Sequence, residues 1–495
     1  MNTRFGEQGI IGLAIAYLVA LSWSISNISY DIWGVFIVLP PLALLGIFGV
    51  RRMFSGELQP IAKIMYLGLA AKFAGACAKY FVSFDTYGGF TDAEEYHLYA
   101  RAAASKVWGG KANISTVLPG GTGTHFMERF TSFLYTLVGS SKLAGYFVFA
   151  WMAFWGIAFF VKAGCIAIPR LAQRRYAVLC VLAPSIVYWP SSIGKEALMM
   201  FALGIGTHGI ARLLARSGFF QPLVLVLVGL GLAGLVRPHL AAIWLAALLP
   251  TLLMTLFRGR QGRDQGRGAV ADRFVLLVII GLAAVALVAV GSATVRYLHP
   301  SSDEKASGNT ITAILKETTR RTSKAGSNFT TPAINGPTDW AKASVRTLLR
   351  PLLIEANGVG QLLSAVELTA FILLCMACYR RVLNVPRLLL TNPFVVFAIG
   401  AIFLVGLAYS SFGNLGVLTR QKSLILPLMF LIPCVPVRSY RRDPERAEDV
   451  AQNNSTSPSV RPQLDGGGIP TSLTARQVRT GPPWGNGAKP AVGRG

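Results

Sequence analysis

Residues 142–163 read KLAGYFVFAWMAFWGIAFFVKA, and positions 143–161, between the two lysines, carry no charged side chain. An apolar run of about 20 residues is what a helix needs to cross a hydrocarbon core about 30 Å thick. Similar blocks recur along most of the chain. The sequence therefore predicts an all-α, polytopic membrane protein.

Twelve apolar blocks predict about twelve transmembrane helices. They cover residues 8–28, 32–50, 59–83, 142–163, 174–190, 194–214, 219–235, 238–257, 273–293, 359–380, 392–410 and 420–438. A further run at 126–138 is too short to span and predicts an interfacial or re-entrant helix.

These blocks divide the chain into three parts. Residues 1–58 are predicted to form an N-terminal transmembrane hairpin. Residues 59–437 are predicted to form a transmembrane core with two long outer loops, at 84–141 and 295–358. Residues 438–495 are rich in Pro, Gly, Ser and Arg, and are expected to be a disordered cytoplasmic tail.

Composition supports the membrane class and argues against nucleic-acid binding. Of the 495 residues, 53% are hydrophobic and 14% are charged, against about 25% charged in soluble proteins. The net charge of +25 comes mostly from short runs between apolar blocks, which is typical of topological anchors. The six cysteines indicate no disulfide framework, and the Cys375/Cys378 pair is interpreted as helix packing rather than as a metal site.

The distribution of basic residues predicts the orientation. With the N-terminus inside, the short cytoplasmic loops hold sixteen Lys and Arg residues, and the short outer connections hold four. Because positive residues accumulate in cytoplasmic loops, both termini are expected in the cytoplasm.

The densest polar segment in the first outer loop is Phe90-Thr91-Asp92-Ala93-Glu94-Glu95-Tyr96-His97. On a helix, Asp92, Glu95 and Tyr96 share one face. A carboxylate placed there suits general-base chemistry on a hydroxyl. The alternative is an acidic first turn that is favoured by the helix dipole.

Basic residues recur in four other outer connections. Lys195-Glu196 opens a helix after Ser192. Ser192 and the start of this helix could bind an anion together with Lys195. Alternatively, Lys195 could simply reach the membrane surface. Such groups at one face fit a phosphate or pyrophosphate on a lipid carrier. The other three connections contain Arg237-Pro238-His239, Arg350-Pro351 with Glu355, and Arg420-Gln421-Lys422.

Two ionisable residues are predicted deep in the spans, Lys72 and Glu367. They could form a structural ion pair or line a polar substrate cavity. No nucleotide-binding or zinc motif is present, and although the outer acidic residues could bind a divalent cation, no ligand spacing indicates a metal or other cofactor.

The run Asp92-Ala93-Glu94-Glu95-Tyr96-His97, with Ala100, resembles the acidic segment in the first large outer loop of GT-C glycosyltransferases. The stretch 184–196 is similar to segments of that group and of membrane polymerases of surface polysaccharides, as are Arg350-Pro351 and Asn414 to Lys422 with Pro427. The resemblance is patchy over 59–437. The family's acidic loop usually follows the first span, whereas here it follows the third, which indicates either a prefixed hairpin or a neighbouring family.

The resemblance implies a GT-C-like bundle in the bacterial cytoplasmic membrane that acts in cell-envelope glycan synthesis. A polyprenyl-phosphate-linked sugar would be the donor, and membrane lipid the other expected partner. Asp92, or failing that Glu94 or Glu95, would deprotonate the acceptor. Lys195, Arg237, Arg350 and Arg420 would hold the leaving phosphate, and Tyr96, His97 and Trp189 would line the sugar site. Glu196 and His239 complete the predicted substrate-binding set.

Three alternatives stay open at this stage. The first is a Wzy-like polysaccharide polymerase or ligase, in which the outer arginines dominate. The second is a transporter or flippase of a lipid-linked or anionic solute, which predicts broken helices and polar groups through the bundle. The third is a non-catalytic scaffold of an envelope-synthesis complex.

Overall fold

The regular structure is helical throughout the residues that the computed structural model describes, which are 3–215, 218–258, 267–298, 318–319, 337–356 and 358–437. Within these ranges there is no β-strand. The predicted all-α class is therefore confirmed. The predicted tail at 438–495 and most of the predicted second outer loop lie outside the described residues.

The chain order of the α-helices positions every feature discussed below. The helices are α1 (Thr3–Asn27), α2 (Tyr30–Trp33), α3 (Val35–Met53), α4 (Gln59–Phe81), α5 (Asp92–Trp108), α6 (Thr124–Val138), α7 (Lys142–Ala167), α8 (Gln173–Leu182), α9 (Pro184–Tyr188), α10 (Lys195–Leu214), α11 (Phe220–Val236), α12 (Pro238–Arg258), α13 (Arg267–Leu298), α14 (Pro337–Leu348), α15 (Val359–Ala377), α16 (Tyr379–Val382), α17 (Val385–Thr391), α18 (Pro393–Tyr409), α19 (Leu415–Lys422) and α20 (Leu426–Met429).

Several of these helices are long and apolar enough to cross a membrane. By length and composition, seven qualify in the described part of the chain, or up to nine if each of two bent pairs is one span. The seven coincide with predicted spans at 32–50, 59–83, 142–163, 194–214, 238–257, 273–293 and 359–380. These helices indicate a multi-pass membrane protein, and the count of twelve stays a prediction.

The remaining predicted spans correspond to shorter or bent helices. Residues 8–28 and 219–235 fall on the shorter apolar helices Ala14–Asn27 and Phe220–Val236. The last two predicted spans fall on bent pairs: α16–α17 meets α18 at 110°, and α19 meets Leu426–Cys434 at 62°.

The expected single helix over 174–190 is two short helices, α8 and α9, separated at Ala183. Pro184 follows this residue and begins α9. Proline lacks the N–H that would continue α8, and it disfavours helical backbone at the residue before it. Ala183 has φ −58° and ψ 122°, which is outside the helical region.

Glycines allow the central helices to approach each other closely. A Cβ on Gly156 of α7 would collide with the backbone carbonyl of Met200 in α10, and one on Gly229 of α11 would collide with the backbone nitrogen of Gly206 in α10. Small residues at such positions let membrane helices pack backbone to backbone. Helix α7, buried over most of its length, therefore packs at the centre of the bundle.

The segment predicted to be the first outer loop packs onto the N-terminal helices. Asp31 in α2 accepts a hydrogen bond from Arg101 of α5 at 3.2 Å, and its backbone carbonyl accepts one from Ser141 at 3.1 Å. Helix α6 packs against α5, and just before α6 the N–H of Gly123 donates to the carbonyl of Leu235 at 2.8 Å. These contacts bring the start of α6 to the end of α11.

Candidate functional site

Four charged side chains from distant parts of the chain meet at one place, which we call the charged cluster: Asp92, Glu196, Arg237 and Arg420. Arg420 Nη2 lies 2.8 Å from Asp92 Oδ2 and 2.8 Å from Glu196 Oε2. Arg237 Nη2 lies 2.6 Å from Glu196 Oε1. Glu196 therefore bridges both guanidinium groups, and Arg420 bridges both carboxylates.

Each member of the charged cluster lies at or near a helix end. Asp92 is the first residue of α5, where the helix dipole favours a negative charge, and Glu196 is the second residue of α10. Arg237 lies between α11 and α12, because Pro238 begins the next helix. Arg420 lies on the short helix α19, whose first turn is capped by the side chain of Asn414.

The exposure of the cluster is graded from inside to outside. The side chain of Glu196 is 3% exposed and that of Arg237 is 9% exposed, whereas Arg420 is 32% and Asp92 is 56% exposed. Glu196 and Arg237 thus form the buried part. Asp92 and part of the Arg420 guanidinium remain reachable.

Two further side chains orient the guanidinium group of Arg237. Arg237 Nη1 donates to Gln421 Oε1 at 2.6 Å, and the Tyr409 hydroxyl donates to the same oxygen at 3.4 Å. Gln421 directly follows Arg420. One turn of α19 therefore carries Arg420 and also binds Arg237 through Gln421. The sequence reasoning assigned no role to Gln421 or Tyr409, because a neutral polar residue near a helix end carries no distinctive signal.

Thr124 links two more predicted site residues to the cluster. Lys195 Nζ donates to Thr124 Oγ1 at 3.0 Å, and Thr124 is also a hydrogen-bond partner of Tyr96. Burial raises the pKa of Tyr96, and the nearby negative charges of Asp92 and Glu196 add to the effect. Tyr96 is therefore neutral at ordinary pH.

A fourth cation lies beside two aromatic rings near the cluster. Lys79 Nζ is 4.4 Å from the ring centre of Tyr188 and 4.6 Å from that of Trp189, and it interacts electrostatically with Arg420. Cation–π contacts of this kind hold an ammonium group in place. With Lys79 and Lys195 added, the two carboxylates of the cluster face four basic side chains.

No family model, curated protein or solved structure matches this chain. We therefore infer the function from the residues and their geometry. In that geometry, a reachable carboxylate lies next to a partly exposed guanidinium group in basic surroundings. Such an arrangement can bind an anion and accept a proton beside it.

Two predicted site residues of α5 form contacts outside the charged cluster. Glu94 pairs with Lys142, with Nζ and Oε2 2.8 Å apart. His97 is buried, with Nδ1 2.8 Å from the Tyr135 hydroxyl and Nε2 3.7 Å from Asp31 Oδ1. Burial lowers the pKa of His97 to about 4, against the opposing effect of Asp31. His97 thus contributes to packing between α2, α5 and α6.

The other predicted residues are placed as follows. Arg350 Nη2 pairs with Glu355 Oε1 at 2.7 Å, a carboxylate that is not one of the two in the charged cluster. Glu95 is exposed on α5, and His239 is half-buried close to Arg237. In the described ranges, no group of three or more His, Cys, Asp and Glu side chains could hold a metal ion.

Lys72 and Glu367, considered together from the sequence, have different partners. Lys72 Nζ donates to the carbonyls of Ile186 and Pro190 at 3.0 and 2.8 Å, and to Ser191 Oγ at 2.8 Å. Glu367 Oε2 accepts from the Ser185 N–H at 2.8 Å. The lysine therefore stabilises the turn that leads to Lys195 and Glu196.

Proposed function

We propose that this chain is an integral membrane glycosyltransferase that moves a sugar from a polyprenyl-phosphate carrier to an acceptor hydroxyl. The reaction would take place at the outer face of the bacterial cytoplasmic membrane, with both termini in the cytoplasm, in the synthesis of envelope glycans. The proposal includes a GT-C-like arrangement of about twelve spans. It is supported chiefly by one contact, the ion pair between the exposed Asp92 and Arg420.

This contact joins the two groups that the reaction needs. Arg420 touches both carboxylates through the same nitrogen, Nη2, and a guanidinium group has five N–H donors. Because the Arg420 side chain is 32% exposed, its remaining N–H groups can donate to a phosphate oxygen. A bound phosphate would compete with Asp92 for Arg420 and leave the carboxylate to accept a proton.

The transfer step follows from these positions. Asp92 accepts the proton of the acceptor hydroxyl as its oxygen forms a bond to the anomeric carbon. The bond between that carbon and the phosphate oxygen breaks, and its electron pair stays on the phosphate. Arg420, Arg237 and Lys195 stabilise the negative charge that grows on the leaving polyprenyl phosphate. The products are the glycosylated acceptor and polyprenyl phosphate, with the proton on Asp92.

Asp92→Asn tests the proposal in proteoliposomes supplied with polyprenyl-phosphate sugars and candidate acceptors. Removing a general base typically costs a factor of about 10²–10⁴, so transfer should fall at least about 100-fold. Asp85→Asn is the matched control, because Asp85 is an exposed aspartate like Asp92. It lies just after the end of α4. Equal transfer by wild type and Asp92→Asn would refute the role of Asp92 as base.

A second candidate, transport of a lipid-linked or anionic solute, is favoured by a different observation. The helix break at Ala183 adjoins two ionisable groups of the bundle, the buried Lys72 and the half-buried Glu367. Broken helices with polar groups in the bundle are typical of transporters. Movement of the lipid-linked sugar across proteoliposomes without release of polyprenyl phosphate would support transport over transfer.

A further inference from the structure

The α16–α17 segment, Tyr379–Thr391, connects two apolar helices and runs across the second of them. Helix α15, which precedes the segment, is long and apolar enough to cross a membrane and ends at Ala377. The segment then meets α18 at an angle of 110°. Because it begins where a membrane-crossing helix ends and turns across the next helix, we expect it to lie along the surface of the bilayer.

One face of the segment is fixed to the end of the helix bundle. Arg381 Nη1 donates to the carbonyl of Val435 at 2.6 Å, and Asn384 Nδ2 donates to the carbonyl of Pro436 at 2.9 Å. Leu388 packs against the apolar core. These three side chains are spaced i, i+3 and i+7, so they share the face that is turned towards the protein.

The face turned away from the bundle is a stripe in which arginine and leucine alternate. Its members are Arg380, Leu383, Arg387 and Leu390, spaced i, i+3, i+7 and i+10. The side chain of Leu383 is 72% exposed and that of Leu390 is 75% exposed, and both arginines are exposed as well. We call these four residues the Arg/Leu stripe.

The Arg/Leu stripe suits the boundary between hydrocarbon and water. Leucine side chains with this exposure are unfavourable in water, whereas a guanidinium group is unfavourable in hydrocarbon. At the bilayer surface, leucine can enter the acyl region while the long arginine side chain keeps its charge among the headgroups. A lipid surface therefore accommodates all four side chains at once.

The charge of the stripe selects the headgroup. The segment contains no Asp or Glu, and in the described part of the chain no carboxylate forms a salt bridge with Arg380 or Arg387. The two arginines are seven residues apart, which is about 10 Å along a helix, so each can contact a phosphate of its own. Basic side chains at a membrane surface favour anionic over zwitterionic lipids.

We propose that the Arg/Leu stripe binds anionic phospholipids. Arg380 and Arg387 would each donate two N–H groups to a headgroup phosphate, and the acyl chains would lie against Leu383 and Leu390. This binding is independent of glycosyl transfer, because it involves none of the residues of the charged cluster.

Photochemical cross-linking from the stripe tests the proposal. The full chain, with Leu383 replaced by a diazirine-bearing amino acid, is placed in nanodiscs that contain equal amounts of phosphatidylglycerol and phosphatidylcholine. Mass spectrometry then measures the ratio of the two lipids among the adducts. The same amino acid in place of Leu44, which is 68% exposed on α3, reports the general lipid composition around the protein.

We expect the ratio of phosphatidylglycerol to phosphatidylcholine to be at least about fivefold higher at position 383 than at position 44. Each basic group near an anionic surface contributes about 1 kcal/mol, which is about a factor of five. Arg380→Gln combined with Arg387→Gln should lower the ratio at position 383 to the level at position 44. Both side chains are exposed, so these substitutions remove charge without disturbing the core.

Arg51→Gln combined with Arg52→Gln is the matched control. It removes the same charge from two exposed arginines in the last turn of α3, and it should leave the ratio at position 383 unchanged.

Three results would overturn the proposal. Equal ratios at positions 383 and 44 in the chain with all its arginines would mean that the headgroup is not recognised. Adducts at position 383 that contain no lipid would mean that the stripe does not meet the bilayer. A high ratio that persists after both stripe arginines are replaced, or that falls equally in the α3 control, would remove Arg380 and Arg387 as the specific ligands.

Discussion

Replacing Glu196 by Gln should destabilise the protein more than any other single charge removal in the charged cluster. The carboxylate accepts from Arg237 at 2.6 Å and from Arg420 at 2.8 Å, and it is 3% exposed. An amide has one acceptor oxygen, so its NH2 group would face a guanidinium donor. Breaking one buried ion pair in this way costs about 3–5 kcal/mol.

Asp92→Asn removes the same charge from the exposed part of the cluster and serves as the matched comparison. Exposed ion pairs contribute about 0–1 kcal/mol, and the Asp92 side chain is 56% exposed. We therefore expect a large loss of stability for Glu196→Gln and almost none for Asp92→Asn. The proposed transfer activity should not follow stability. Asp92→Asn should lose this activity while the protein remains folded.

Thermal unfolding in one detergent measures this difference. Cys180 and Cys434 are buried, so a thiol-reactive dye reports their exposure as the bundle opens. One kcal/mol shifts Tm by about 2–4 °C in domains of about 150–250 residues and by less in longer chains, which predicts a fall of several degrees for Glu196→Gln. Equal Tm values for Glu196→Gln, Asp92→Asn and wild type would contradict the assignment of Glu196 as the buried link.

Two other expectations concern pH and packing. Because the pKa of His97 is lowered to about 4 in the folded protein from an ordinary 6.5, only the unfolded chain binds a proton as pH falls below about 6.5. The free energy of unfolding should therefore fall by about 2 kcal/mol between pH 7.5 and pH 5. His97→Gln should lose that part of the pH dependence of Tm. An unchanged pH dependence in this variant would contradict the role given to His97. Gly229→Ala should cost about 1–3 kcal/mol through overpacking against Gly206. Gly231→Ala on the same helix has no atom within 4 Å of the added methyl and should be neutral in the same unfolding assay, so equal effects would refute the close approach of α10 and α11.

Hydropathy was sufficient to locate the long helices but not their breaks. The uncharged run between Lys142 and Lys162 fixed α7, because a long apolar block has few other stable environments. The block at 174–190 looked similar, yet it holds Pro184, which separates α8 from α9. Whether a proline kinks a helix or ends it depends on which groups nearby can satisfy the freed backbone, and those groups come from distant segments.

The candidate site was predictable as a set of positions rather than as a set of contacts. Charged residues at helix ends identified Asp92, Glu196, Arg237 and Arg420, and the structure joins all four. The same signal also selected Arg350, whose guanidinium group has a local partner in Glu355.

Contacts between distant segments left no trace in the sequence. The pairing of Glu94 with Lys142 and the approach of Asp31 to His97 join residues far apart along the chain. A single sequence gives no information on which acidic and basic residues meet after the helices pack. Lys72 shows the same limit, because its acceptors are backbone carbonyls and one hydroxyl in a turn more than a hundred residues away.

The central claim is that Asp92 and Arg420 meet on one side of the membrane, and paired cysteines test it most directly. In a chain with the six native cysteines replaced, Asp92→Cys and Arg420→Cys are introduced together. We predict that a membrane-impermeant thiol reagent reaches both from the same side, and that a short bifunctional thiol reagent joins them within intact membranes. Labelling of the two cysteines only from opposite sides, with no cross-link, would contradict the charged cluster and the function proposed from it.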